Sequence, residues 1–208
     1  MTTLEENNSG SKAKLIEAAI ELLSTKGFNG SGINEILETA KVTKSNFYYH
    51  FKSKEMLGLT ALDLLIHKFN EAILKPTFLN QSLDPKKRLE RFFQILVEML
   101  DSNCCQWGCP FVNLASETSD LYPLFQHKMD QFFKNYKSAI QCWYQDGVNC
   151  GEFREDLSAE MISQLILSAI NGSMVLVKTL KNAEVLKQNA KTLSYLLESK
   201  NKKNLIKK

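Results

Sequence analysis

The prolines constrain this chain more than any other feature. All four, Pro76, Pro85, Pro110 and Pro123, fall in its middle third, and residues 1–75 and 124–208 contain none. Long stretches without proline and with few glycines favour helix, because no residue withholds an N–H from the i→i−4 ladder. Apolar residues recur at helical spacing in five places. They are Leu15, Ile16, Ala19, Leu22 and Leu23; then Leu89, Phe92, Phe93, Leu96, Val97 and Leu100; then Phe125, Met129, Phe132, Phe133, Tyr136, Ile140 and Trp143; then Met161, Ile162, Leu165, Ile166 and Ala169; and last Leu186, Ala190, Leu193 and Leu197. Each follows the i, i+3, i+4, i+7 pattern of a buried helix face. No segment alternates with period two between turn residues, so no sheet is expected. The expected fold is all-α, with helices near 11–26, 33–40, 44–51, 54–74, 86–102, 111–118, 124–149, 159–180 and 184–198.

Composition limits the class. Apolar residues are 44% and charged residues 24%, which is ordinary for a globular chain. The charge is 26 − 23 = +3, too small to argue for nucleic acid unless the basic residues cluster. No apolar run approaches the roughly 18 residues of a membrane span. The start, Met1-Thr2-Thr3-Leu4-Glu5-Glu6, is polar and acidic, unlike a secretory signal. Five cysteines without an export signal read as free thiols in a reducing cytoplasm.

The basic residues do cluster. From Thr39 to Lys54 there are four lysines (Lys41, Lys44, Lys52, Lys54) and no acid, whereas residues 1–56 hold seven lysines and seven glutamates. In this stretch Ile33, Ile36, Leu37 and Ala40 mark one short amphipathic helix. Val42 plugs a tight turn and Thr43 is an N-cap. Phe47 and Phe51, four apart, anchor a second short helix. Its other face presents Lys44, Ser45, Asn46, Tyr49 and His50, with Tyr48 at the edge. Two short helices across such a turn form a helix-turn-helix, whose second helix reads base edges in the major groove while lysines contact phosphates. Ser53-Lys54-Glu55 opens the next helix, where Lys54 and free N–H groups suit another phosphate. Thr43, Lys44, Ser45, Asn46, Tyr48, Tyr49, His50 and Lys54 are therefore the candidate DNA-binding residues, and double-stranded operator DNA the candidate partner. Aromatics at helical spacing are also ordinary core, which is the reading adopted for Phe47 and Phe51.

The same residues carry a resemblance. Ala18-Ala19, Leu22-Leu23, Gly27-Phe28, Ile33-Asn34-Glu35-Ile36 and Val42-Thr43-Lys44-Ser45-Asn46-Phe47-Tyr48-Tyr49-His50-Phe51, followed by Lys52-Ser53-Lys54-Glu55-Met56-Leu57, resemble the DNA-binding domain of the TetR family (TetR/AcrR type) of bacterial transcriptional regulators. The likeness is tight from Leu15 to Leu57 and looser beyond. Three positions depart from the family pattern. Lys41 stands where a turn glycine is usual, Ser45 where glycine often opens the recognition helix, and Gly32 where a hydroxyl residue is common. Lys41 must then adopt a left-handed conformation at modest cost.

The resemblance implies a DNA-binding domain over residues 1–53, a helical effector-binding and dimerisation domain over 54–199, and here a basic tail over 200–208. It implies a homodimer through the last two long helices. Ile166, Ala169, Gly172, Ser173, Leu193 and Leu197 are the expected interface, the small residues allowing close approach; packing within one chain is the alternative. It also implies a repressor released by an unidentified small-molecule or oxidant effector. The run Gly108-Cys109-Pro110-Phe111-Val112-Asn113-Leu114-Ala115-Ser116-Glu117-Thr118-Ser119-Asp120 is similar to a subset of the family in which this helix lies beside the pocket. There the position of Cys109 senses electrophiles or oxidants in some members. A helix start lowers a thiol pKa, and Cys104 and Cys105 are near enough in sequence to resolve an oxidised Cys109. Buried free cysteines are the alternative. Phe92, Phe93, Trp107, Phe111, Phe132 and Trp143 are candidate pocket aromatics that also suit a plain core.

No hydrolase, zinc-protease or Walker motif is present, and Gly27-Phe28-Asn29-Gly30-Ser31-Gly32 follows a helix rather than a strand, so no enzyme and no cofactor are expected. No Cys-x-x-Cys pairs with another and the histidines (His50, His67, His127) lie far off in sequence, so a zinc site is the weaker possibility and no metal is expected. The remaining alternatives are a thiol-based sensor acting through Cys109 and a helical interaction protein without specific DNA binding.

Overall fold

The computed structural model describes residues 2–102, 104–106 and 108–199; Trp107 and the expected basic tail, 200–208, lie outside the described residues. Nine α-helices are described: α1 (Thr2–Lys26), α2 (Ile33–Ala40), α3 (Lys44–His50), α4 (Lys54–Phe69), α5 (Pro85–Ser102), α6 (Pro110–Thr118), α7 (Pro123–Asn149), α8 (Ala159–Leu180) and α9 (Glu184–Leu197). Three of the four prolines are the first residues of α5, α6 and α7. A missing N–H is harmless there, because the first turn has no acceptor for it. Among the described residues the only extended pairing is an isolated bridge between Phe153 and Glu198.

Two helix ends differ from expectation. Helix α1 begins at Thr2 rather than near residue 11, because its polar first turns carry no apolar stripe to read. The helix expected as one piece over 54–74 changes its hydrogen bonding after Phe69. Residues Asn70–Leu74 form a wider turn in which the Lys75 amide donates to the Asn70 carbonyl at 2.9 Å, an i→i+5 bond.

The chain forms two compact units. The first contains residues up to 68 together with 109–130, the second 69–108 together with the chain from 131 onward. This partition follows packing, whereas the expected boundary at residue 53 follows helix lengths. In the first unit, Leu15, Ala19, Leu22 and Leu23 of α1 are buried with Phe28, Ile36, Phe47, Phe51, Leu57, Phe111, Leu114 and Phe125.

The second unit is built around aromatic rings. Phe78 stacks on Phe92 with centroids 4.5 Å apart and meets Trp143 at 5.0 Å. The Trp143 indole N–H donates to the Pro85 carbonyl at 2.8 Å, so the buried indole has a partner. Arg88 is buried and ion-paired with Asp146 at 2.7 Å, while its Nε donates to the Leu83 carbonyl. Helix α8 does have the length and apolarity of a membrane span by composition. One of its faces is core: Ile162, Ile166, Ile170 and Val177 are buried.

At Gly147 a methyl group would lie 1.9 Å from the Phe153 ring. Glycine to alanine inside a helix normally stabilises by about 1 kcal/mol. Here overpacking opposes that gain by roughly 1–3 kcal/mol or more. Gly147→Ala should therefore lower the urea unfolding midpoint; an unchanged or raised midpoint would show that α7 does not press on Phe153 in this way.

Candidate nucleic-acid interface

Helix α2 starts at Gly32, whose backbone is extended and which has no side chain to cap it. It ends where Lys41 takes the left-handed conformation, φ 53° and ψ 45°. That geometry lets the Lys41 amide donate to the Glu38 carbonyl and the Val42 amide to the Leu37 carbonyl, closing the helix. A lysine does here what glycine would do with less strain. Thr43 is the N-cap of α3: its Oγ1 accepts the Asn46 amide at 3.4 Å and shares a 3.0 Å hydrogen bond with Ser45 Oγ. Phe47 and Phe51 are buried and fix which face of α3 points inward.

The outward face then follows. Lys44 and Ser45 are exposed, and Asn46 is half-buried. Tyr48 is 50% exposed and rests edge-on against Phe47 at 5.1 Å. Tyr49 is 71% exposed, the more open of the two tyrosines. His50 is half-buried beside Tyr49, and its Nε2 is enclosed without a hydrogen-bond partner. Lys41 and Lys52 are exposed at either end.

Lys54 has a different place from the one expected. Its ammonium donates to the carbonyls of Phe28 at 2.8 Å and Ser31 at 2.9 Å and lies 4.3 Å over the Phe28 ring. Burial pushes its pKa down, and the nearby Glu117 carboxylate works against that. Two of the ammonium's three N–H groups thus go to the turn between α1 and α2, a structural role beside any contact with a phosphate. The start of α4 is partly occupied too, since Ser53 Oγ accepts the Met56 amide at 3.2 Å.

Sequence reading misses the partner of that same turn. The Glu117 carboxylate in α6 accepts the Phe28 amide at 2.7 Å and the Asn29 amide at 2.6 Å. Tyr122 adds a hydroxyl donor to Asn29 Oδ1 at 3.2 Å. Gly27 has φ +79°, and a Cβ there would lie 2.4 Å from Glu117 Oε2, so the site needs glycine twice over.

Of the described candidate pocket aromatics, Phe92, Phe93, Phe132 and Trp143 fall in the second unit and Phe111 in the first. Phe92 and Trp143 are closed into the Phe78 cluster, and Phe132 packs against Phe69 and Tyr136. Phe111 is buried in the first unit. Phe93 borders a groove of about 660 Å³ between α5 and α9, with Val97, Ala190 and Tyr195.

The expected dimer residues divide. Ile166, Ser173, Leu193 and Leu197 are buried within their own chain, which removes them from any surface a partner could reach. Ala169 is half-buried and Gly172 exposed. The exposed apolar stripe of α8 is instead Met161, Leu165, Val175, Leu176 and Leu180, most of it beside the buried face that holds Ile166. Helical periodicity reports that α8 has a wide apolar face but not which part of it its own core takes.

All five cysteines are free. Cys104 and Cys105 both have positive φ, 53° and 57°; the first is exposed and the second buried. Cys109 is the residue that precedes α6. Burial pushes its thiol up, and the backbone hydrogen bonds from Val112 and Phe111 only partly counter this. The expected lowering by the helix start is therefore outweighed by desolvation.

A short, capped helix with an outward lysine, serine and two tyrosines, held across a turn from a second helix, is the arrangement of a helix-turn-helix. Comparison with known proteins agrees. The profile described as bacterial regulatory proteins, tetR family, matches residues 15–59, and that described as tetracyclin repressor-like, C-terminal domain, matches residues 85–193. The chain belongs to the TetR family of transcriptional regulators, which are not enzymes. It is 27% identical to the HTH-type transcriptional repressor DhaR of Mycobacterium sp. strain GP1, over 84% of this chain and 85% of that one. It is 29% identical over 119 residues to the HTH-type transcriptional repressor NemR of Escherichia coli K12, covering 56% of this chain and 58% of NemR. The crystal structure of regulatory protein TetR from Rhodobacter sphaeroides superposes with a TM-score of 0.83 at 25% identity, over 89% of this chain and 97% of that one.

Two outcomes follow from these placements. Lys54→Met should lower the thermal midpoint by leaving two carbonyls unpartnered, at about 1–3 kcal/mol each if they stay dry, while Lys44→Met leaves the midpoint unchanged; equal midpoints would free Lys54 for another role. With limiting iodoacetamide at pH 7, exposed Cys104, Cys142 and Cys150 should be alkylated before Cys109, because a raised pKa leaves less thiolate. Peptide mapping that finds Cys109 modified first would reverse that assignment.

Proposed function

We propose that this protein is a cytoplasmic homodimeric repressor that binds a pseudo-palindromic operator and is released by an effector. The observation that carries the reading is the α3 face: Lys44, Ser45, Tyr48 and Tyr49 stand out on a helix whose inward side is fixed by Phe47 and Phe51. Lysine supplies a salt-sensitive phosphate contact, and the tyrosines, Ser45, Asn46 and Thr43 supply groups for base edges and backbone. The direction of control, repression, is taken from DhaR and NemR, both named as repressors.

Dimerisation through α8 and α9 is supported by the exposed stripe Met161, Leu165, Val175, Leu176 and Leu180, with exposed Tyr195 and Leu196 on α9. Such a stripe is large for a surface that meets only water. Gly172 and Ala169 lie among these residues and allow close approach. A two-fold pair of α3 helices sets a fixed half-site separation, so an effector need only favour a state with another separation. A reversible ligand is the preferred effector. The thiol reading through Cys109 draws on the likeness to NemR, one structure of which is titled as its reduced form, but the raised Cys109 thiol works against it.

Selection from a random duplex library, followed by footprinting, tests the reading. The wild-type protein should enrich a pseudo-palindrome. Lys44→Ala should weaken binding to every duplex and reduce the salt slope by roughly 1 per subunit. Leu165→Glu, at a position 51% exposed in the single chain, should remain folded, become monomeric by light scattering and lose the palindrome. Ile166→Glu is the poorer test, since it places a charge in the core. A dimeric Leu165→Glu protein that footprints normally would overturn the interface, and a wild-type protein that enriches nothing would overturn operator recognition.

A further inference from the structure

We propose that Glu117 is a positioning residue for DNA recognition: its carboxylate, closed on the Phe28 and Asn29 amides, holds the helix-turn-helix in its operator-binding arrangement, and opening this clip is how release is transmitted. The inference rests on the proposed operator-binding function and names a regulatory contact within the DNA-binding unit itself.

Helices α2 and α3 have eight and seven residues. Helices so short have little stability of their own, and packing decides where they sit. The turn that launches α2 is therefore decisive, and Gly32 gives α2 no side-chain cap of its own. Every partner of this turn but one set comes from the first 68 residues. Ser31 Oγ donates to the Gly27 carbonyl at 2.6 Å, and Lys54 serves the Phe28 and Ser31 carbonyls. The exception is Glu117 with Tyr122, which reach back 88 to 93 residues.

The clip is sensitive to small motions. Its two bonds measure 2.7 and 2.6 Å, so a displacement of about 1 Å that draws the carboxylate away along them takes both beyond hydrogen-bonding range. Both amides donate to one ionised group, so they are lost together. Helix α6 is a single rigid piece of nine residues from Pro110 to Thr118, with Phe111, Leu114 and Thr118 buried. Any shift at its start reaches Glu117. Gly27 keeps a side chain from standing between the turn and the carboxylate. An effector that prefers the shifted α6 opens the clip and by linkage disfavours DNA.

The test compares wild type with Glu117→Gln, whose amide can accept one N–H but presents a donor to the other. The probes are the duplex enriched by wild type and a random duplex of equal length. The clip predicts a lowered thermal midpoint, since two charge-assisted hydrogen bonds are weakened, and, well below that midpoint, at least a tenfold loss of affinity for the enriched duplex with random-duplex affinity within twofold. Equal weakening on both duplexes would make Glu117 merely structural, and unchanged affinity for both would overturn the proposal. Amide exchange without DNA gives an independent reading. Faster exchange in Glu117→Gln should extend from Phe28 and Asn29 through α2; exchange confined to those two amides would overturn the coupling even if wild type enriched no sequence, an outcome that separately defeats operator recognition.

Discussion

The turn from Gly27 to Ser31 is the constraint on which the DNA-binding unit depends. Its Phe28 and Asn29 amides donate to Glu117 and its Phe28 and Ser31 carbonyls accept from Lys54, so charged groups serve both polarities of one short loop. Hydrogen bonds to charged groups contribute about 1.5–3 kcal/mol each, more than neutral ones. A loop held in this way behaves as a fixed part. The orientation of α2 follows from it, that of α3 follows from α2 through the Lys41 turn, and the outward face of α3 follows from Phe47 and Phe51.

Much of this was legible in the sequence because it is local. Apolar residues at helical spacing located the helices, and three prolines mark where α5, α6 and α7 begin. Thr43 as cap needed only the spacing of its neighbours, whereas Lys41 in a left-handed turn followed from the resemblance to the family, which usually has glycine there. The structural role of Lys54 was illegible because a lysine in a basic stretch looks the same whether its ammonium meets a phosphate or two carbonyls. Only the path of the chain at Phe28 and Ser31 distinguishes them. Glu117 was illegible for the same reason: no local pattern indicates that a carboxylate in α6 closes on amides near residue 28.

The long helices show a second limit. Helix α8 has a wide apolar arc beside a polar face of Glu160, Gln164, Asn171 and Lys178, so periodicity marks its core side and its exposed apolar side alike. Ile166 and Leu165 are adjacent in sequence, yet one is fully buried and the other half-exposed. Which of them can meet a partner depends on α9 and α5, not on their own residue types. Cys109 shows the balance of two local effects: a helix start favours the thiolate, burial disfavours it, and burial is the larger.

Crosslinking addresses the central claim, that α3 is the surface that reads DNA, most directly. A benzophenone side chain placed at Tyr49 should crosslink the enriched duplex at two positions about one helical turn apart or slightly more, one per subunit. The same group at Tyr195, exposed on α9, should leave the duplex unmodified. Crosslinks from Tyr195 as efficient as those from Tyr49, or none from Tyr49 in a protein that still binds, would contradict the account.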